Sequence, residues 1–292
     1  MQELTLTNSS KTAFACPYKY YLSYVLMLKS KIRKEPMELG SLIHEYLEWY
    51  NKFGIDETLK KIGTITDRRH TMKMKALATL KKYVDWDEKP VNLIAEKDYK
   101  IFLFEIDGFQ VYSCGKMDGI DNDNRQLIEY KTTEYDLALS ESNSQFNFWH
   151  DIEHNPQHVG YYQATQKLGY DIKEVLYIAL SRHEIKLKNN EEIEEYIERY
   201  YDKVKIVPYP IQINDIAIEN YLEHERKIAS EIIWNYKTNT WNRRPSLCSK
   251  PYRCEFFEHC KYGVDIADAE FYERKEKQHE ELDIEETNNV QF

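Results

Sequence analysis

The sequence lacks an apolar run that could span a membrane, since no hydrophobic stretch approaches the ~18 residues that a spanning helix needs. Its first residues, Met1-Gln2-Glu3-Leu4, have neither the basic nor the apolar region of a signal peptide. It has no G-x-x-x-x-G-K-[ST] motif, which excludes a phosphate-binding loop and a nucleotide-driven motor in this chain. We therefore expect a cytoplasmic protein, or one in a host cytoplasm if it is viral, with no membrane partner and no nucleotide cofactor.

Cysteine is scarce, and its five residues are too unevenly spread for a disulfide framework. The odd number favours a reducing compartment and a role as metal ligands. Cys114 falls inside a predicted strand and is interpreted as a buried small hydrophobic residue. The other four are candidate ligands, namely Cys16, Cys248, Cys254 and Cys260.

Four thiolates suit a [4Fe–4S] cluster or a structural zinc ion. The last three cysteines are separated by two gaps of five residues, and His259 adjoins Cys260. Zinc sites favour gaps of about two to four residues and often include histidine, so the spacing and the histidine point in different directions. Either metal would join Cys16 to the C-terminal cysteines and close a loop of more than two hundred residues. Loop-closure entropy would then make the site a staple for the fold.

The chain has no excess of positive charge, because its net charge is −10. Much of this negative charge lies between Asp265 and Phe292, a segment with ten acidic and three basic residues. This segment has few apolar residues, which predicts a surface helix or a disordered tail. Elsewhere three basic clusters suit either a phosphate backbone or a solvated face. They are Lys29, Lys31, Arg33 and Lys34; Lys73, Lys75, Lys81 and Lys82; and Arg243, Arg244, Lys250 and Arg253.

The spacing of apolar residues predicts a mixture of helices and strands. Helices are expected after the capping residues 7–10, with a break at Cys16-Pro17, and at 38–50 (with a stop near Gly54), 67–84, 156–168, 191–203 and 215–236. Strands are expected at 91–106, 109–120, 127–133 and 174–181, and residues 207–210 are expected to be a proline-rich connection. The aromatic stretch 134–155 predicts no regular element. It is either a loop that stacks on single-stranded nucleic acid or an ordinary loop with buried aromatic residues.

Charged residues gather on the predicted hairpin around the polar turn 121–124. Glu129 and Lys131 share one face of its second strand because alternate side chains point the same way. Asp118 ends the neighbouring strand. Charges are rarely buried unless they are paired or bind a metal, so this group suits a hard divalent cation and a phosphate. The alternative is an edge hairpin with an ordinary Glu–Lys ion pair.

The D-x(10)-E-x-K spacing of Asp118, Glu129 and Lys131 resembles that of the PD-(D/E)XK nuclease superfamily. Two further motifs resemble its RecB-like branch: G-x-x-x-H, found here as Gly40-Ser41-Leu42-Ile43-His44, and Q-x-x-x-Y, found as Gln157-His158-Val159-Gly160-Tyr161. The one-plus-three cysteine arrangement is similar to that of AddB-type and CRISPR adaptation nucleases, although those more often have C-x-x-C at the first gap. The resemblance extends from about Cys16 to Cys260.

The resemblance implies an α/β, restriction-endonuclease-like core, with a mixed central sheet flanked by helices and a helical metal-cluster appendage built from both termini. The expected domains are an N-terminal helical segment at 1–35, a nuclease core at 36–210, a cysteine segment at 211–264 and an acidic tail at 265–292. The resemblance favours [4Fe–4S] over zinc at the four cysteines. It also implies a Mn²⁺ or Mg²⁺ ion held by His44, Asp118, Glu129 and the Tyr130 carbonyl, with Lys131 as the catalytic ammonium. Gln157 and Tyr161 would then position the DNA or the lysine.

The implied activity is metal-dependent DNA hydrolysis, as an exonuclease on single-stranded ends in recombination, repair or phage DNA processing. Unwinding would come from a helicase or recombination partner on another chain. One alternative is a nuclease that trims DNA before CRISPR integration. Another is a non-catalytic DNA-binding module that keeps the fold. The complete set of His44, Asp118, Glu129 and Lys131 argues against that module, because degenerate members usually lose one of these residues.

Overall fold

The computed structural model describes residues 2–31, 35–135, 137, 144–249, 253–280 and 282. The strands are β1 (Gln2–Leu6), β2 (Leu28–Ser30), β3 (Ile94–Ile106), β4 (Phe109–Asp121), β5 (Gln126–Thr133), β6 (Glu174–Ser181), β7 (Ile206–Gln212) and β8 (Tyr272–Arg274). The α-helices are α1 (Asn8–Phe14), α2 (Pro17–Tyr20), α3 (Glu35–Ile62), α4 (Thr71–Val84), α5 (Ser144–Glu153), α6 (Pro156–Lys167), α7 (Ile193–Tyr201), α8 (Asp215–Thr238) and α9 (Phe257–Tyr262). Within the described ranges, no helix is both long and apolar enough to cross a membrane.

The chain divides into two compact units. Unit 1 comprises Met1–Arg33, Asp98–Lys116 and Asp215–Phe292, and unit 2 comprises Lys34–Lys97 and Met117–Asn214. The four candidate cluster cysteines belong to unit 1, whereas every candidate catalytic residue belongs to unit 2.

Unit 2 contains a mixed sheet with helices on both faces. The end of β4 pairs antiparallel with β5, β5 pairs parallel with β6, and β6 pairs antiparallel with β7. Side chains from one face of β5 and β6 form an apolar core with α3 and α4; they include Ile128, Tyr130, Ile178 and Leu180. The opposite face contacts α6, whose Gln157 donates a hydrogen bond to Glu129. This architecture confirms the predicted α/β fold with a mixed central sheet.

Unit 1 has its own apolar core, which includes residues from β1, α1, β4 and α8. In this unit β1 pairs parallel with β4 from Gln2 to Leu6, and β2 pairs antiparallel with β8. The predicted cap is confirmed, because Thr7 and Ser10 form a reciprocal capping box at the start of α1. The predicted break is confirmed too, since Cys16 has an extended backbone and Pro17 begins α2.

Gly54 interrupts α3 but does not end it. Its φ of 77° lies in the region that favours glycine, and the helix resumes to Ile62 beyond it. The predicted stop is therefore a kink between two helical segments and not the end of α3.

Two predictions of irregular structure were wrong. Residues 207–210 belong to β7, where Pro208 and Pro210 are tolerated because β7 is an edge strand with one neighbour, β6. The stretch 134–155 contains α5, which carries the buried Trp149. The strands β1, β2 and β8 were not predicted, because runs of five or three residues show too little alternation.

Some predicted features lie outside the described residues. These are Arg33, Lys34 and Lys250 of the basic clusters, residues 138–143 of the aromatic stretch, and residues 283–292 of the acidic segment.

Candidate active site

The structure brings six predicted site residues together at β4 and β5. His44 comes from α3 and its Nδ1 lies 3.7 Å from Asp118 Oδ2. Lys131 Nζ lies 3.7 Å from Glu129 Oε1. The same Glu129 oxygen accepts a 3.0 Å hydrogen bond from Gln157 Nε2, and this amide also donates to the Tyr161 hydroxyl at 3.0 Å. The imidazole, carboxylates and ammonium thus form one electrostatic group.

The backbone between Glu129 and Lys131 also takes part. The β4–β5 ladder runs from Asp121↔Gln126 to Gly119↔Ile128. Two residues further along β5, the Tyr130 N–H donates to Asp118 Oδ2 at 2.7 Å. In a strand, the N–H and C=O of one residue point to the same side, so the Tyr130 carbonyl is directed to the β4 side of β5. That direction agrees with its predicted role as an oxygen ligand.

The environment of Glu129 is the one that most clearly suits a cation. Its side chain is 3% exposed, and no described group donates a hydrogen bond to its Oε2 atom. Burial, followed by repulsion from Asp118, raises the pKa of Glu129 to about 8. A buried carboxylate that is destabilised in this way needs a positive charge to stay ionised near neutral pH.

The carboxylates also act on the two basic side chains, since Asp118 lies near His44 and Glu129 lies near Lys131. Burial lowers the pKa of His44, but the carboxylates of Asp118 and Glu129 more than offset burial and the pKa is raised. The Lys131 side chain is 46% exposed although it lies within β5, where the four preceding residues are buried. Its ammonium can therefore meet a solvent-borne substrate while it faces Glu129.

The residues fit a hard divalent cation. Mg²⁺ is usually bound by one or two carboxylates together with water, and an imidazole shifts the preference toward Mn²⁺. Asp118 and the unpartnered Glu129 oxygen match that donor set, with His44 beside them. Among the described residues, no group of three or more His, Cys, Asp and Glu side chains is arranged to hold a metal ion. In this arrangement His44, Asp118 and Glu129 therefore do not form a ligand group by themselves, and a cation would need the Tyr130 carbonyl and water as further ligands.

Helix α3 lies unusually close to β5. A Cβ atom on Gly40 would lie 3.2 Å from Thr132 Oγ1, which is tighter than ordinary van der Waals contact. Gly40 and His44 are four residues apart and lie on one helical face. The glycine of the G-x-x-x-H motif therefore allows the helix that carries His44 to approach the strand that carries Glu129.

Sequence reasoning missed a histidine beside the site. His158 is 1% exposed, its Nδ1 lacks a hydrogen-bond partner among the described groups, and its ring packs edge-on against Tyr177 at 5.4 Å. Burial, together with the Lys131 charge, lowers its pKa to about 4. It is therefore neutral near pH 7. Its position next to Gln157 was the only available signal.

The four predicted cluster cysteines form no disulfide. Burial is the largest cause of the raised pKa of Cys260; Arg243 opposes it, and the charges of Cys254, Cys248 and Cys16 add to it. Among the described residues, however, the four thiols do not form a group that is arranged to hold a metal ion. His259 is engaged elsewhere, because its Nδ1 contacts the Val264 carbonyl at 2.8 Å and its Nε2 contacts the Tyr18 hydroxyl at 3.0 Å. Neither ring nitrogen is available to a metal in this arrangement.

Comparisons with known proteins agree with the resemblance seen in the sequence. The model of the PD-(D/E)XK nuclease superfamily matches residues 8–262. No curated protein matches the chain. A crystal structure of a protein from Eubacterium rectale, named as a candidate exonuclease, is similar with a TM-score of 0.55 and 13% identity, over 87% of each chain. A phage-related exonuclease from Haemophilus somnus 129PT gives a TM-score of 0.35 and 10% identity, over 67% of this chain and 81% of that one. At such identity the first shows a shared fold, and the second carries no argument.

Proposed function

Because the chain belongs to the PD-(D/E)XK nuclease superfamily, we propose that it is a divalent-metal-dependent deoxyribonuclease that shortens single-stranded DNA from its ends. The observation that carries this proposal is the buried Glu129 carboxylate, with an unpartnered oxygen beside Asp118 and Lys131. Glu225 Oε2, in a buried ion pair with Lys11, also lacks a donor among the described groups, so an unpartnered oxygen alone does not indicate a cation. At Glu129 it does so because a second carboxylate and the Lys131 ammonium act on the same group. A role in recombination, repair or phage DNA processing is part of the same proposal.

Asp118, Glu129, the Tyr130 carbonyl and His44 are proposed to hold Mn²⁺ or Mg²⁺. When bound, such a cation lowers the pKa of its bound water and neutralises charge on the phosphate. Asp118 is already fixed by the Tyr130 N–H, and Glu129 is fixed by Gln157. These hydrogen bonds orient the carboxylates before any cation arrives, which reduces the reorganisation that binding requires.

Lys131 is proposed to orient the attacking water and to stabilise the negative charge that develops on the phosphate. A compact ammonium on a flexible stem suits this role. Glu129 holds that ammonium at 3.7 Å, while Gln157 and Tyr161 hold Glu129. The Q-x-x-x-Y motif thus acts on the lysine through the carboxylate between them.

The four cysteines are proposed to bind a [4Fe–4S] cluster, with zinc as the alternative. The support is the electrostatic coupling of Cys260 to the other three cysteines and the engagement of both His259 nitrogens. Thiolate-only ligation suits an iron–sulfur cluster as well as a Cys₄ zinc site. The cluster would tie the N-terminal and C-terminal parts of unit 1 together.

Single-stranded DNA is the proposed substrate, and an exposed aromatic side chain supports it. Tyr135 follows β5 closely, is 57% exposed and contacts the Phe148 ring at 5.3 Å. Aromatic rings of this kind stack on unpaired bases without sequence preference. Since the chain has no motor motif, a duplex would have to be opened by a helicase or recombination partner.

End-labelled DNA tests the proposed function. With Mn²⁺, linear single-stranded DNA should be shortened progressively, covalently closed single-stranded circles should stay intact, and EDTA should abolish cleavage. Blunt duplex DNA serves as the matched control and should be cut more slowly. Rapid cleavage of the circles would show an endonuclease instead. DNA binding without cleavage under any metal would show the non-catalytic module.

A further inference from the structure

The side chain of Tyr130 makes a buried connection that the proposed catalytic roles do not use. Tyr130 points to the opposite face of β5 from Glu129 and Lys131, toward α3 and α4. Its hydroxyl lies 2.6 Å from the Tyr83 hydroxyl of α4 and accepts a 3.2 Å hydrogen bond from Asn51 Nδ2 of α3. The Tyr83 and Tyr130 rings meet edge to face at 5.5 Å. Both tyrosines are almost fully buried, at 0% and 2% exposure.

The Tyr130 hydroxyl, the Tyr83 hydroxyl and the Asn51 amide are hydrogen-bond partners of one another. The Tyr130 oxygen accepts from Asn51, and the two hydroxyls share one further hydrogen bond in which either can be the donor. Burial raises the pKa of both hydroxyls, so each stays protonated at physiological pH. A satisfied buried network of this kind fixes one relative arrangement of the elements that it joins.

Those elements carry the proposed metal ligands. The peptide group of Tyr130 donates to Asp118 at 2.7 Å, and its carbonyl is a proposed ligand itself. Asn51 lies seven residues after His44, so both are on the same face of α3. Gly40, four residues before His44, makes the close approach to Thr132. Helix α3 is therefore held against β5 on both sides of His44.

We propose that the Tyr130 hydroxyl, held by Tyr83 and Asn51, positions the metal site. It fixes the Tyr130 peptide group and the helix that carries His44. A tyrosine has only two side-chain torsions, so fixing its hydroxyl restrains its backbone. The three residues touch neither substrate nor cation through these side chains; they act through the Tyr130 backbone and α3. This inference rests on the proposed metal-dependent function.

Variants that remove these polar groups test the positioning role. Tyr83→Phe and Tyr130→Phe keep the rings and remove the hydroxyls, and Asn51→Ala removes the amide donor. Loss of groups that orient metal ligands typically costs about 10–100-fold in metal affinity. Each variant is expected to weaken Mn²⁺ binding by a factor in this range, measured from free Mn²⁺ by electron paramagnetic resonance, and to raise the Mn²⁺ concentration that half-saturates cleavage. The KM for DNA should stay unchanged.

The double variant Tyr83→Phe/Asn51→Ala sharpens the test. Both residues act through one hydroxyl, so its loss of Mn²⁺ affinity should equal that of Tyr130→Phe and not the product of the two single losses. If Tyr130→Phe does not fold, Asn51→Ala carries the test, because this side chain is only partly buried.

Two matched controls separate positioning from stability. Tyr196→Phe removes the hydroxyl of a buried tyrosine on α7, which donates to the Ile185 carbonyl at 2.8 Å. Tyr46→Phe removes the hydroxyl of a buried tyrosine on α3 itself, where the ring stacks on Trp49. Both are expected to keep the parent Mn²⁺ affinity within about twofold, whatever their melting temperature. If Tyr83→Phe lowers the melting temperature as Tyr196→Phe does and leaves Mn²⁺ binding unchanged, the positioning role is wrong while the nuclease proposal stands. If the parent itself binds no Mn²⁺, both fail.

Discussion

Replacing Lys131 by alanine is expected to lower the rate of DNA cleavage by about 10²–10³-fold, the usual effect of losing one well-placed donor to a developing negative charge. The protonated side chain cannot ligate a metal, so Mn²⁺ affinity should stay close to that of the parent. The fold should be retained because Lys131 is 46% exposed and fills no part of the core. Single-turnover cleavage of a labelled single strand at saturating Mn²⁺ measures the effect on chemistry alone.

Binding measurements complete this test. Single-stranded DNA should still bind Lys131→Ala, because phosphate contacts come mainly from basic and aromatic residues elsewhere. Lys60→Ala is the matched control, since Lys60 lies on α3 in an exposed ion pair with Glu57. It should cleave like the parent. Parental cleavage by Lys131→Ala would remove the lysine from the mechanism.

Replacing Cys254 by alanine is expected to remove the iron–sulfur colour and to unfold unit 1. A structural metal site contributes about 10 kcal/mol or more of apparent binding free energy, whereas a whole domain is stable by only about 5–15 kcal/mol. Loss of the cluster should therefore be a loss of folding and not merely of activity. Visible absorption of anaerobically purified protein, with the unfolding curve followed by circular dichroism, measures both effects.

Cys114→Ala is the matched control for the cluster. Cys114 is 3% exposed in β4 and belongs to the same unit, but it is not among the cysteines that influence Cys260. This variant should stay brown and folded. A colourless, stable parent that contains zinc would replace the iron–sulfur assignment by a Cys₄ zinc site.

Local periodicity accounts for the part of the candidate site that was predictable. The strand period places Glu129 and Lys131 on one face and Tyr130 on the other, and the structure agrees. The helix period places Gln157 and Tyr161 together, and their side chains are hydrogen-bonded. The roles of these residues in metal binding and catalysis remain predictions.

The hydrogen bonds that hold the Tyr130 hydroxyl were not predictable, because the residues that form them are distant in sequence. Asn51 and Tyr83 are 79 and 47 residues from Tyr130 along the chain. Tyr83 is an ordinary position of the predicted helix 67–84, and Asn51 directly follows the predicted helix 38–50. Only the packing of α3 and α4 on β5 shows that two hydroxyls and an amide meet.

Prolines explain one error of the fold prediction. Pro208 and Pro210 interrupt the strand pattern, and a proline is normally evidence against a strand because it lacks an N–H donor. The strand β7 escapes this penalty since, among the strands that the structure describes, it pairs with β6 alone. Whether a strand lies at an edge is decided by the order of the whole sheet, which the local sequence does not encode.

A titration with Mn²⁺ of the parent and of Glu129→Gln is the most direct test of the metal-dependent site. The amide of glutamine keeps the shape of the side chain and removes the charge whose burial raises the pKa of Glu129 to about 8, so the variant should not be less stable than the metal-free parent. The parent is expected to bind Mn²⁺ and to cleave single-stranded DNA in proportion to its occupancy. Glu129→Gln should bind Mn²⁺ at least about tenfold more weakly, a difference of 1.4 kcal/mol, and should not cleave at the parent's saturating concentration. Equal Mn²⁺ affinity and equal cleavage in the two proteins would contradict the proposed site.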